Sequence, residues 1–330
     1  MILTLVIALV VLALVFDYVN GMHDSANAIA TVVSTRVLSP RQAIVMAAVL
    51  NFVGALISVS VAKTIGKDIV DPKFVTVLTV LAAVMSAIVW NLFTWWRGIP
   101  SSSSHALIGG IVGASIATTG WSHLKWEGLS KVVSGLVFSP IIGLGLGFLI
   151  MVAILWTCRK MLPGKVNKFF KTAQLASAGL MAFSHGGNDA QKSMGVIAMA
   201  LVAGGFQDKL DIPMWVKLAC ACAMAMGTAA GGWRIIKTMG SKLFNMQPVH
   251  GFAAETAAAT VILTATHWGV PISTTHAISG AIMGVGSTRS IKAVNWGVVG
   301  QMVTAWVLTI PATALVAFAL ETVLVRLIHL

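Results

Sequence analysis

Two short motifs occur once in each half of the sequence, and both hold residue types that bind ions. Gly21-Met-His-Asp24-Ser-Ala-Asn27 aligns with Gly186-Gly-Asn188-Asp189-Ala-Gln191-Lys192, which puts Asp24 and Asp189 at equivalent places in apolar surroundings. A carboxylate in such surroundings costs several kcal/mol, on the order of 3, and calls for a partner. Each aspartate follows a glycine that can interrupt a helix, so the carboxylate and freed backbone carbonyls can converge on a cation. Asn27, Asn188, Ser102 and Ser273 are candidate neutral oxygen ligands. The alternative is a pair of buried carboxylates satisfied by neighbouring amides and hydroxyls.

The second motif has the chemistry of an anion site. Gly98-Ile-Pro100-Ser-Ser-Ser-Ser-His105 aligns with Gly269-Val-Pro271-Ile-Ser-Thr-Thr-His276. Proline stops a preceding helix, the hydroxyl residues suit the N-cap of a following one, and the freed N–H groups and helix dipole favour an oxyanion. Ser103, Ser104, Thr274 and Thr275 are therefore candidate anion ligands, against the simpler role of helix caps. Lys192 either pairs with Asp189 or Asp24 or, with Gln191 beside it, attracts the anion. Glu255 has no acidic counterpart in the first half; a third cation ligand, a proton site and a carboxylate paired with His250 or a hydroxyl all remain open. His105 and His276 fit a hydrogen-bonding scaffold, and nothing has the ligand spacing of a zinc site.

The elements that must position these groups are membrane helices. Only 22 basic and 10 acidic residues occur in 330, about 10%, and 57% of the chain is apolar. Residues 74–96, 98–124, 132–158, 256–288 and 293–320 carry no Asp, Glu, Lys or Arg, each as long as or longer than the ~20 residues of a membrane helix. A soluble enzyme and a nucleic-acid binder are excluded on this ground. The expected spans are 1–34 (broken near Gly21), 41–62, 74–97, 100–119, 129–157, 172–205 (broken near Gly186), 213–236, 251–269, 272–288 and 294–325. The apolar start reads as a first span, not a cleaved signal. Cys158, Cys220 and Cys222 read as helix-packing residues, with no disulfide framework.

The formal net charge of +12 sorts by topology. The segment 159–171 holds five basic residues with Pro163 and Gly164, so it is the expected cytoplasmic loop. Alternation then puts Arg36, Arg41, Arg97, Lys237, Lys242, Arg289 and Lys292 inside. Asp68, Asp71, Glu127, Asp208, Asp211 and both termini fall outside. Residues 1–158 and 172–330 become two repeats of opposite orientation, joined by 159–171. The expected fold is an all-α polytopic membrane protein of about 10–12 transmembrane segments, an inverted repeat with broken helices. The pairs 74–97 with 100–119 and 251–269 with 272–288 are either full crossings or hairpins that enter and leave on one face. Inverted repeats with interrupted spans mark secondary transporters with a midplane site. Gly143-Leu-Gly145-Leu-Gly147 offers a surface for close helix packing within a protomer or across a homodimer.

At these motifs the sequence resembles the inorganic phosphate transporter (PiT) family. The family's paired G-x-N-D-x-x-N signature corresponds to residues 21–27 and 186–192, and its P-x-S-[ST]-[ST]-H motif to Pro100–His105 and Pro271–His276. His23 stands where the first signature has asparagine, and Lys192 where the second has its last asparagine. The resemblance implies cation-coupled uptake of inorganic phosphate by alternating access, without a cofactor, in a multi-pass protein of the cell (inner) membrane. The expected assignment is sodium on Asp24, Asn27, Ser102, Asn188, Asp189, Ser273 and Glu255, and phosphate on Ser103, Ser104, Thr274, Thr275, Gln191 and Lys192. Proton coupling, sulfate as substrate, an anion channel and a lipid-phosphate enzyme are the competing readings.

Overall fold

A chain this apolar must satisfy its backbone polar groups internally once it is in a bilayer, and helices do so within each segment. The structure, a computed structural model, describes residues 2–70 and 74–328; Asp71 lies outside them. The first half contains α1 (Ile2–Ser34), α2 (Pro40–Ala55), α3 (Ser60–Lys67), α4 (Val77–Arg97), α5 (Ser103–Thr119) and α6 (Trp126–Cys158). The second contains α7 (Pro163–Ala203), α8 (Met214–Ala230), α9 (Trp233–Lys237, continued by a π turn to Lys242), α10 (Pro248–His267), α11 (Thr274–Arg289) and α12 (Trp296–Ile328). The succession is the same in both halves, down to a bent second element: α2 and α3 meet at 67°, α8 and α9 with its π turn at 61°.

Among the described residues, α1, α4, α6 and α12 are long and apolar enough to cross a membrane alone, and each bent pair adds a further span. The outward faces of α6 and α12 are apolar, with Leu149, Trp156, Val307 and Leu315 all more than half exposed. Such a large unpartnered apolar surface belongs against lipid.

Three expectations need correction. Helices α1 and α7 run unbroken through Gly21 and Gly186. These glycines serve close approach: a side chain at Gly21 would strike the Met224 carbonyl of α8, and one at Gly186 the backbone of Asn51 in α2. Gly227 and Gly54 return the same contacts to Tyr18 and Phe183. The actual interruptions lie between α2 and α3 and between α8 and α9. The expected 159–171 loop also shrinks, because Pro163 starts α7 at a position where its missing N–H costs nothing.

The paired helices are hairpins. Alternation of full crossings would put the turn after α4 and the turn after α10 on opposite faces, yet the two turns touch. Ser104 Oγ donates to the Ile272 carbonyl at 2.8 Å, and the His105 and His276 rings lie 4.6 Å apart. Gly98 (φ 67°) and Gly269 (φ 65°) make the turns in the left-handed region that glycine tolerates. Each turn is held from the other half: Thr238 donates to the Gly98 carbonyl at 3.0 Å and Thr64 to the Gly269 carbonyl at 2.7 Å. Arg97, beside the first turn, stays exposed and stacks over Phe93 and Trp96.

The hairpin arms α5 and α11 pack on α12 and α6 through glycine. Gly109 and Gly113 meet the backbone of Ile310 and Ala314, while Gly143, Gly147, Gly280 and Gly284 lie between α6 and α11. Two glycines of the 143–147 run are thus used inside the protomer, whereas Gly145 faces open space. Gly284→Leu should destabilise the solubilised protein by about 3 kcal/mol or more through overpacking, and Gly145→Leu should be neutral. Thermal unfolding in detergent, with the two variants side by side, checks this.

Candidate ion-binding site

The two hairpin turns meet beside the middle turns of α1 and α7, and the motif residues converge there. Ser102 and Ser273 cap α5 and α11 by accepting the His105 and His276 N–H groups, each at 3.2 Å. Both helix N-termini therefore open toward the same place.

Asp24 and Asp189 are buried there, and with His185 their ligand atoms lie within 4.8 Å of one another. Two carboxylates so close in an apolar interior need donors or cations. Asp24 receives Ser103 Oγ at 3.2 Å, Thr275 Oγ1 at 3.3 Å and His23 Nδ1 at 2.7 Å. The far side of the His23 ring is held by Thr94 at 3.1 Å and Ser101 at 3.3 Å. Asp189 receives Thr274 Oγ1 at 3.3 Å and Asn20 Nδ2 at 3.4 Å, pairs with Lys192 Nζ at 2.8 Å and faces His185 Nε2 at 3.6 Å. The hydroxyls of one hairpin thus serve both aspartates.

The amides complete the picture. Asn27 donates to Thr274 and Thr275 at 3.2 and 3.0 Å, which leaves its Oδ1 buried and without a partner. Asn188 donates to Thr266 at 2.8 Å, and its Oδ1 is likewise buried and unpartnered. Buried amide oxygens with no donor beside an anionic pair have the chemistry of cation ligands.

Several expected site residues are used otherwise. The Gln191 carboxamide accepts the Val61 and Ala62 N–H groups at 2.8 and 3.3 Å and donates to the Gly187 carbonyl. It caps α3, and its carboxamide is given to backbone groups. Ser102 and Ser273, expected on the cation, are the two helix caps. Ser104 ties the turns together. Glu255 is remote from the aspartates: it takes Thr31 and Ser177 at 2.5 Å each and Gln174 at 3.0 Å. His250 is occupied with the Gln247 N–H, so Glu255 is a carboxylate satisfied by hydroxyls and an amide. Lys192 is ion-paired.

Sequence reasoning missed Asn20, His185, Thr94 and Ser101. The signal for the first two was helical spacing, since Asn20 and His185 each lie one turn before a motif aspartate. For Thr94 and Ser101 only the fold brings them to His23.

A hydrophobic exterior, re-entrant hairpins and buried carboxylates beside paired helix N-termini are the features of a membrane transporter. The model of the phosphate transporter family matches residues 20–317, and the chain belongs to that family. It is 49% identical over 315 residues to a probable low-affinity inorganic phosphate transporter of Rhizobium meliloti, covering 95% of this chain and 94% of that one. It is 49% identical, with 94% and 95% covered, to one of Bacillus subtilis. A solved structure described as the sodium-dependent phosphate transporter superposes with a TM-score of 0.89 at 26% identity, covering 98% of this chain and 99% of that one.

Removing the Gln191 carboxamide tests the capping assignment. Gln191→Ala should cost about 1–3 kcal/mol of stability, the penalty for orphaned buried backbone donors. It should leave the half-saturating phosphate concentration unchanged; a tenfold rise in that concentration would return Gln191 to the anion site.

Proposed function

We propose that the protein takes up inorganic phosphate by symport with sodium ions, as an inverted repeat of residues 1–158 and 172–330 that opens alternately to the two faces of the cell membrane. The observation that carries this reading is the shared use of hydroxyl donors at the meeting point of the hairpins. Ser103, Thr274 and Thr275 each have one O–H, and each donates it to Asp24 or Asp189. A sodium ion on an aspartate, with Asn27 Oδ1 or Asn188 Oδ1 as a further ligand, replaces those donors. The hydroxyls then turn to phosphate, together with the N-terminal N–H groups of α5 and α11 and with Ser104 once it exchanges its bond to the Ile272 carbonyl. Cation binding thus assembles the anion site, which is what coupling requires.

The energetics require several cations. Moving one charge is worth ~2.3 kcal/mol per 100 mV, so two cations only balance divalent phosphate against a negative interior and a third drives it. The short Arg159–Leu162 connection and the basic start of α7 lie in the cytoplasm in this reading, with both termini outside.

The test is radiolabelled phosphate uptake by proteoliposomes under imposed sodium or proton gradients, with sulfate and arsenate as competitors. Uptake driven by sodium and blocked by arsenate supports the reading. Uptake driven by protons alone overturns sodium coupling, and competition by sulfate but not arsenate overturns phosphate. In the same assay Asp24→Asn should abolish coupled uptake while the protein remains folded. Thr275→Ala should weaken phosphate affinity roughly ten- to a hundredfold, the worth of one hydrogen bond to a charged group. A cysteine at Lys165 should label only from the cytoplasmic side and one at Asp208 only from outside; labelling of both from one face breaks the proposed topology.

A further inference from the structure

One buried carboxylate has no part in the cluster around Asp24. Asp17 lies on the face of α1 that carries Asn20 and Asp24, at spacings of three and seven residues. It is 0% exposed, and neither carboxylate oxygen has a hydrogen-bond partner. Ser193 of α7 and Cys220 of α8 adjoin it, and Ser193 follows Asp189 by one helical turn. The Ser193 hydroxyl and Asn20 Oδ1 are also buried and unpartnered. Four oxygens from three fully buried side chains thus lie on the seam of α1, α7 and α8 with no geometric hydrogen bond formed, and the Ser193 hydroxyl and Cys220 thiol are the donors nearest to Asp17. A buried carboxylate in that state calls for a cation or a proton to neutralise it.

A second, independent observation explains why a cation would be held there. In the aligned signatures Lys192 occupies the place of Asn27. Asn27 presents an unpartnered amide oxygen near Asp24, whereas Lys192 puts a buried ammonium 2.8 Å from Asp189 Oδ1. The position at which Asp189 would hold a cation as Asp24 does is filled by a charge that cannot leave with the substrate.

We propose that Asp17, Asn20 Oδ1 and Ser193 Oγ form a monovalent-cation site on the α1–α7–α8 seam, one helical turn from Asp189, in place of the site that Lys192 fills. The inference rests on cation-coupled transport, with sodium the cation under the reading above. Asn20 connects the new site to the old one, because its Nδ2 donates to Asp189 Oδ2 while its Oδ1 remains for the cation. Occupancy of the seam thereby bears on the orientation of the Asp189 carboxylate and on the Thr274 hydroxyl that it accepts.

The experiment is the ratio of cation to phosphate flux in proteoliposomes, from labelled sodium, a pH-sensitive dye and labelled phosphate. Asp17→Asn should lower the ratio by one cation, Asp17→Glu should keep it, and Asp17→Asn with Lys192→Asn should restore it, because the motif position then holds the amide that Asn27 provides in the first half. Ser193→Ala should raise the half-saturating sodium concentration about tenfold, with phosphate affinity unchanged at saturating sodium. A wild-type ratio in Asp17→Asn overturns the site. If that variant does not transport, equilibrium binding of sodium to the solubilised protein decides: one ion fewer than wild type supports the site and an equal number overturns it. A loss of one proton in place of one sodium ion keeps the site and removes the sodium reading. Absence of phosphate uptake by the wild type removes the proposed function, while the sodium-binding count still decides on Asp17.

Discussion

Two carboxylates held within a few ångströms of each other inside an apolar helix bundle are the constraint to which the rest of the structure answers. Neither Asp24 nor Asp189 reaches water, so every donor must be delivered by the protein. The hairpins deliver them: helix N-termini and hydroxyls are brought to the middle of the molecule by turning the chain there. The cost is a pair of backbone turns inside the membrane, which is tolerated only where neighbouring protein satisfies them. Thr64 and Thr238 do this by donating to the turn carbonyls, and Trp306 donates to the Pro100 carbonyl at 3.0 Å.

The same demand explains the packing. Donors placed by short side chains need backbones that approach closely, and the helices that carry the aspartates are each clamped by a helix of the other half, α1 by α8 and α7 by α2. Glycine at the crossing points makes this possible. Because the clamps cross between halves, the backbone that carries each aspartate is positioned by the other half, and the site is complete only when both have folded and docked.

Much of this was legible in the chain. Paired motifs in the same order, the scarcity of charge and the basic linker pointed to a helical transporter with its site at the motif residues. The errors share a physical origin. Glycine both interrupts helices and lets them touch, and the sequence around Gly21 and Gly186 does not distinguish the two uses; the structure shows the second. Whether α4 and α5 cross or turn back was undetermined, because both paths present the same charges at the same loops, and only the contact of Ser104 with Ile272 separates them. Gln191 reads as a ligand by adjacency to Lys192; on a helix the two point some 100° apart, and the Gln191 carboxamide meets the backbone of α3. Asp17 is a charge inside the first expected span, yet nothing in a linear reading joins it to Ser193 and Cys220.

Pro140 in α6 leaves one further mark. It has no N–H, so the Leu136 carbonyl, four residues earlier, lacks its backbone partner and accepts the Ser139 hydroxyl at 3.1 Å. That carbonyl lies 3.3 Å from His276 Nδ1, and since a carbonyl can only accept, the proton of the neutral ring resides on Nδ1. A proline in one helix therefore selects the tautomer of a histidine in another. It also acts as a mechanical detent. A helix carbonyl freed of its backbone donor is a better acceptor than its neighbours, so a slide of α11 by one turn along α6 would weaken this bond. The second hairpin is thereby tied to α6 by this bond as well as by the glycine contacts between α11 and α6.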